Sequence, residues 1–525
     1  MAKLGVLSAA SVEAERKILD DIEEQFHLDE DALIEITKQF LEDFRTGLAE
    51  YNHPMAMIPT FVTGVPDGTE TGTFLALDLG GTNLRVCEVT LLGNHEFSMK
   101  QQKYRVSEAL KTGEASVLFD YLADSVDAFL TEHSSVGSPL SPTHDIANPF
   151  DPVSTPAVPL GLTFSFPVEQ TALNQGRILT WTKGFAAKNA VGHDVVRLLQ
   201  DAFDRKHLHV RCVALVNDTV GTLLSRAYSA GSCLLGSIFG TGTNGAFVEK
   251  VENVTKLGDS PARKNGGLMV INTEWGAFNN TRTKLPTTPF DNKLDRQSIN
   301  PRFQAFEKFI SGMYLGEITR NILLALVDAA PRPLLFNGKA SSVLNTHYGI
   351  DTAIMSEVED AWESGREAEI KAHGQPDWQN AHWTDVEALI PSDLARLERI
   401  RGILVQRLLL DPEDVSLRDA ATVRWAASLV ANRAARLSGT AVAAVLVQTG
   451  HAKLGGGTPE PEKNIIIGVD GSLIQHYPNF QTRLRASLRV LVGEAVEKRV
   501  EIDLAKDGSG AGAALCALQA VKQGL

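Results

Sequence analysis

One device occurs twice in this chain: an apolar strand pattern, a turn of glycine, threonine and asparagine, and a second apolar strand pattern. It spans residues 73–92 and again 233–251. Each copy predicts a β-hairpin, because short apolar runs joined by turn residues pair readily across the turn. Two copies predict two similar halves facing one another. Elsewhere strands and helices alternate, with strands expected at 160–166, 210–216, 441–447 and 464–469 and long helices near 301–328 and 414–437. Leu33, Ile36, Phe40, Phe44 and Leu48 recur at spacings of three and four, which marks an amphipathic helix. Another helical pattern covers 117–130, and a last one begins near Ser509. This alternation predicts an α/β architecture with mixed sheets. Residues 134–159 are dense in proline and serine and read as an exposed, structureless insertion.

Composition narrows the functional classes. The 525 residues carry a formal charge of −14, which argues against a sequence-independent grip on nucleic acid. With 43% hydrophobic residues the chain can bury a large core. Its longest aliphatic run, 441–447, falls far short of the roughly 20 residues a membrane helix requires. Acidic residues at 13, 15, 20, 21, 23 and 24 are incompatible with a secretory or organelle signal, so a cytoplasmic protein is expected. Cys87, Cys212, Cys233 and Cys516 stand far apart and read as reduced, half-buried fillers.

The two turns differ in chemistry. Gly240-Thr241-Gly242-Thr243-Asn244-Gly245 spells GxGxxG, yet a β pattern follows it where a dinucleotide fold needs a helix. A hairpin turn remains, whose exposed N–H groups and hydroxyls suit phosphate oxygens. The other turn, Asp78-Leu79-Gly80-Gly81-Thr82-Asn83, adds a carboxylate at a strand end, so Asp78 can hold Mg²⁺ while Gly80–Asn83 wrap phosphate. A Walker A loop is absent around Asn337-Gly338-Lys339-Ala340.

Five polar clusters sit at strand ends or in loops beside the turns: Ser165-Phe166-Pro167, Thr182-Lys183, Asn217-Asp218, Glu274 and Glu307. Strand ends are where α/β proteins place ligands. Each has a plain alternative: Asp218 as a helix N-cap, Glu307 as a solvated helix carboxylate, Lys183 as a surface lysine. Together they offer the donors and acceptors that a buried polyol demands, since each of its hydroxyls must find a partner.

The segments Phe74–Val86, Leu162–Val168, Trp181–Phe185, Val216–Thr222, Phe239–Gly245, Ile310–Glu317 and Ile467–Ser472 resemble the hexokinase family, and within it the fungal glucokinases. They run through nearly the whole chain in the family's order. The resemblance implies the two-lobed actin-like ATPase (ribonuclease H-like) fold with a central cleft. The larger lobe would take 1–63 and 217–508, the smaller 64–216 and 509–525. It implies ATP-dependent phosphorylation of glucose on its 6-hydroxyl, with mannose or fructose as further acceptors, Asp218 as general base and Lys183 as a second catalytic residue. Ser165, Thr182, Lys183, Asn217, Asn244, Glu274 and Glu307 would hold the sugar. Asp78 through Asn83, Lys103, Thr241, Gly242, Thr352, Ser356, Asp470, Ser472, Gly508 and Ser509 would face Mg-ATP. In the last glycine motif Ala511 stands where a basic residue is common. The implied partners are glucose and Mg-ATP, with no nucleic acid, no membrane insertion, and a monomer or homodimer. A regulator of the same fold that binds glucose without turnover is the alternative, but both turns and Asp218 are intact.

Overall fold

A computed structural model describes residues 9–80, 83–133, 157–181, 185–366, 391–457 and 463–525. Two mixed sheets organise it. The five-stranded sheet runs Phe97–Arg105, Asn83–Leu92, Thr71–Leu79, Val158–Phe164, Val210–Val216. The six-stranded sheet runs Ile58–Pro59, Leu268–Asn272, Thr243–Lys250, Leu235–Phe239, Ile465–Asp470, Val500–Leu504. Each contains one of the two expected hairpins: Thr71–Leu79 with Asn83–Leu92, and Leu235–Phe239 with Thr243–Lys250, both antiparallel.

The register explains why chemistry gathers at one edge. Thr71–Leu79, Val158–Phe164 and Val210–Val216 are mutually parallel, with Asp78 opposite Thr163 and Thr163 opposite Val216. Their carboxyl ends therefore deliver Asp78, Ser165, Asn217 and Asp218 to the same side. In the other sheet Leu235–Phe239 and Ile465–Asp470 are parallel, with Ile238 opposite Asp470, so the Gly240–Asn244 turn and Asp470 share an edge.

Between the sheets two helices cross, Asp218–Ala230 and Gly508–Lys522. The first packs on Leu235–Phe239 and Ile465–Asp470, the second on Thr71–Leu79, Val158–Phe164 and Val210–Val216. They meet at Gly221 and Gly512, where a Cβ added to Gly512 would lie 2.1 Å from the Gly221 Cα. Helix propensity alone favours alanine over glycine by about 1 kcal/mol. Overpacking costs about 1–3 kcal/mol, and a backbone neighbour cannot rotate away. The clash wins, so Gly512→Ala should lower the midpoint of thermal unfolding; a raised midpoint would contradict this packing.

The helix Glu30–Ala49 buries Leu33, Ile36, Phe40, Phe44 and Leu48, as their spacing predicted, and Asp29 caps it by accepting from the Ala32 N–H at 2.7 Å. Phe40 stacks on Phe278 at 3.5 Å between ring centroids and meets Phe306 edge-on at 5.1 Å. That places an N-terminal helix under the segment carrying Glu307.

Several expectations change. Residues 441–447 are not a strand; they end the helix Leu417–Gln448. An apolar run of that length has no visible period when every side is buried, and Ala441 through Leu446 all are. The long helix expected over 301–328 breaks at Ser311 into Ala305–Ile310 and Gly312–Val327. Residues 158 and 159 of the expected insertion begin the strand Val158–Phe164, while 134–156 lie outside the described residues. The strand Phe97–Arg105 escaped notice because its side chains are exposed or half-buried throughout and carry no apolar alternation. The four cysteines are fully buried rather than half-buried, and burial pushes each thiol up to about 12. Among the described residues no helix is long and apolar enough to cross a membrane.

Candidate active site

Asp218 opens the helix that starts at the end of Val210–Val216. The cap is its neighbour: Asn217 Oδ1 accepts from the Thr219 N–H at 2.9 Å and from the Thr219 hydroxyl at 2.7 Å. Asp218 is therefore not the N-cap that its position in sequence allowed. Its Oδ1 accepts from the Thr219 N–H at 2.9 Å, and the side chain stays half-buried at the sheet edge.

On the five-stranded sheet, Asp78 is bound into a charged network. Its Oδ2 accepts from Arg85 Nη2 at 3.1 Å and from the Ser509 hydroxyl at 2.8 Å. Arg85 also donates to Ser509 Oγ and lies 2.8 Å from Asp507 Oδ1. Burial raises the Asp78 carboxyl above the usual range, against the pull of Arg85 and Ser509, and the charge of Asp218 adds to the rise. Burial likewise raises Asp470, with Asp218 and Asp507 contributing. Asp78 and Asp507 thus share one arginine while the charge of Asp218 acts on Asp78 and Asp470, a setting that a divalent cation would relieve. Among the described residues no group of three or more acidic, histidine or cysteine side chains is arranged as a metal site. Mg²⁺ needs none, since it binds through one or two carboxylates plus phosphate oxygens and water.

The remaining phosphate-loop residues divide. Leu79 is fully buried, and the Gly80 N–H is spent on the Asn83 carbonyl at 3.0 Å. Asn83 is exposed; Gly81 and Thr82 lie outside the described residues. Lys103 is exposed and directly opposite Arg85 in register, so it shares that sheet face. Gly508 begins the C-terminal helix, whose Ser509 carbonyl accepts from the Thr163 hydroxyl at 2.8 Å.

On the six-stranded sheet a polar cluster forms around Asn244 and Glu274. Asn272 Nδ2 donates to Glu274 Oε1 at 2.8 Å, and Asn244 Nδ2 donates to Asn272 Oδ1 at 2.8 Å and to Glu274 Oε1 at 3.4 Å. Glu307 Oε2 accepts from the Thr243 N–H at 3.1 Å. A Cβ on Gly242 would sit 2.8 Å from that same oxygen, which is why the turn has glycine there. Glu274 and Gln304 both hold left-handed backbones, φ 54° and 53°, a conformation that costs non-glycine residues energy and concentrates at functional sites.

Ser165 follows Val158–Phe164 and is half-buried. Thr182 and Lys183 lie outside the described residues, but the segment is anchored on both sides. Trp181 and Phe185 stack at 5.5 Å and pack on Phe166, and Trp181 Nε1 donates to the Ala187 carbonyl at 2.9 Å.

An open pocket of about 620 Å³ continues the edge, lined by Thr241, Thr352, Ser356 and Ser472 among others. All four were expected on the nucleotide side. Thr352 contributes wall rather than a free hydroxyl: it donates to the Gly312 carbonyl at 2.6 Å and accepts from the Gly316 N–H at 3.0 Å. Asp470 accepts from the Gly471 N–H at 2.7 Å and Gln475 Nε2 at 2.6 Å.

Reading the sequence missed Arg85, Asp507, Asn272 and Gln304 as members of the site. Arg85 lies inside the segment Phe74–Val86 and Asp507 directly before Gly508, but their ion pair joins residues far apart in sequence. Gln304 carried no signal beyond standing three residues before Glu307.

Two mixed sheets whose polar strand ends meet across a pair of packed helices define a two-lobed, actin-like fold. Hexokinase family models match residues 18–228 and 234–519. The glucokinase of Aspergillus niger is 40% identical over 503 residues, covering 92% of this chain and 93% of that protein. Glucokinase-1 of Saccharomyces cerevisiae is 35% identical, covering 98% and 99%. A solved hexokinase from Schistosoma mansoni, complexed with glucose, superposes with a TM-score of 0.75 at 33% identity, covering 96% of this chain and 98% of that one. The chain belongs to the hexokinase family and is a hexose kinase.

Proposed function

We propose that the chain transfers the γ-phosphoryl group of ATP to the 6-hydroxyl of glucose, with Asp218 as the general base. The observation that carries this reading is the position of Asp218. It stands at the edge where Asp78 and Asp470 end their strands, near enough to both to raise their carboxyls. Phosphoryl transfer asks a protein for positioning and charge neutralisation, and a positioned base for the attacking hydroxyl. Asn244, Glu274 and Glu307, with Ser165, Thr182, Lys183 and Asn217, would bind and orient the sugar. Thr241, Gly242, Ser356, Ser472, Gly508 and Ser509 would bind the nucleotide, with Lys103 adding charge from the sheet face. Asp78 would hold Mg²⁺, which when bound supplies charge neutralisation at the β- and γ-phosphates.

The small lobe is assigned 64–216 and 509–525, the large lobe 1–63 and 217–508. Sugar contacts from both lobes would make closure depend on substrate and keep water from attacking ATP. Mannose and fructose carry the same hydroxyl and would be further acceptors. The assigned compartment is the cytoplasm. A coupled assay of ADP release tests the reading: purified, folded protein should release ADP only when glucose and Mg-ATP are both present. Glucose binding without turnover would instead establish a sugar-sensing regulator.

A further inference from the structure

The loop between the helices Pro289–Gln297 and Ala305–Ile310 has an unusual composition for its place. Its side chains Ile299 and Phe303 are 91% and 64% exposed, so hydrophobic burial does not hold it. Yet it ends on Gln304, at φ 53°, and leads into the helix of Glu307, whose carboxylate meets the Thr243 N–H. A Cβ on Gly276, two residues after Glu274, would lie 2.4 Å from Gln304 Oε1, so Gln304 and the turn after Glu274 are in close contact. Phe306 packs the Glu307 helix from below, but the loop that leads into it must be fixed by something other than packing.

The fixing is done by Asp295, itself 6% exposed. Its carboxylate accepts from Lys308 Nζ at 2.8 Å and from the Arg302 N–H at 3.1 and 3.2 Å, and it pairs with Arg282 at 2.5 Å. Lys308, 3% exposed, also donates to the Asn300 carbonyl at 2.7 Å. One carboxylate therefore ties three segments: the stretch after Glu274 through Arg282, the loop through Arg302, and the Glu307 helix through Lys308. Asn280 Oδ1 adds a cross-tie to the Ala305 N–H at 3.0 Å.

We propose that Asp295, acting with Lys308, is a positioning residue for sugar recognition: it sets the placement of Gln304 and Glu307 without touching the sugar. A buried ammonium that loses its carboxylate is costly unless the structure shifts to reach another partner or water. The loop is the element free to shift, because its tip is already solvated. Small misplacements of positioning groups cost up to about a hundredfold in rate. None of the Asp295 ties reaches the nucleotide side directly; the two sides meet only where Glu307 accepts from the Thr243 N–H, so nucleotide binding should move much less than sugar binding.

This inference rests on Glu307 holding the sugar, which Glu307→Gln tests separately: KM for glucose should rise in that variant with the Asp295 ties intact. The variants are Asp295→Asn, Lys308→Met and Lys308→Arg, with Ile299→Ser as the control on the exposed tip. For Lys308→Met the expected result is a rise in KM for glucose of about tenfold, with a much smaller change in KM for ATP. Lys308→Arg should restore most of the lost affinity. Asp295→Asn combined with Lys308→Met should cost less than the sum of the two, since both act through one tie. Should Asp295→Asn fail to fold, the Lys308 pair decides alone. Equal changes in both KM values, equal effects of Met and Arg at 308, or an unchanged glucose KM in Lys308→Met would each overturn the proposal.

Discussion

Asp218→Ala should bind glucose and scarcely phosphorylate it. The sugar hydroxyls are assigned to Asn244, Glu274 and Glu307, which are held by one another and by backbone: Asn272 braces Glu274 at 2.8 Å and the Thr243 N–H braces Glu307 at 3.1 Å. None of those bonds uses Asp218. The role proposed for it is confined to the proton of the attacking hydroxyl, and a positioned base is worth about 10²–10⁴ in rate. The loss belongs in kcat, with KM for glucose changed only modestly, because an interaction made mainly in the transition state is what disappears. Asp218→Asn keeps the shape and the bond from the Thr219 N–H, and should be nearly as slow. The check is steady-state kinetics beside direct glucose titration. Near-normal turnover in either variant would remove Asp218 from the base role.

Arg85→Met should be the most damaging change outside the sugar site, through stability and nucleotide affinity together. Arg85 is the cation shared by Asp78 and Asp507, at 3.1 and 2.8 Å, with side-chain exposures of 18–19% throughout. Removing one member of a buried ion pair costs about 3–5 kcal/mol, because the remaining charge loses its compensation. The partial exposure here puts the expected loss near the low end, about 3 kcal/mol. Asp78 and Asp507 would then face Asp218 and Asp470 without a counter-charge, and the Ser509 hydroxyl would lose one of its partners. The variant should unfold at lower denaturant concentration and show a raised KM for Mg-ATP. Added Mg²⁺ should stabilise it more than the wild type, because the ion supplies the missing positive charge. An unchanged midpoint with unchanged Mg-ATP affinity would show that the network is ornamental.

The parts of the site that were legible in sequence are those written locally. Asp78 before Gly80, Asn217-Asp218 after an apolar strand, and the glycine turn at 240–245 each combine a strand, a break and a polar group within a few residues. The parallel register then brings them together, as the pairing of Asp78 with Thr163 and Thr163 with Val216 shows. What stayed hidden depends on partners distant in sequence. Arg85 acquires its meaning from Asp507, and Asp295 from Arg282, Arg302 and Lys308. Gln304 adopts a left-handed backbone that no propensity favours, and its side chain lies against Gly276, much earlier in the chain. The misread run 441–447 shows the converse limit: valine-rich sequence suggested a strand, and burial on all sides of a helix overrode that preference.

The most direct test of the account is the identity of the product. Incubating the folded protein with glucose and Mg-ATP and following phosphorus by NMR should show the γ-phosphate signal replaced by ADP and a sugar phosphate esterified at the 6-oxygen. Release of inorganic phosphate alone, an ester at another hydroxyl, or no change in ATP would contradict the assignment of Asp218 to the 6-hydroxyl of a bound glucose.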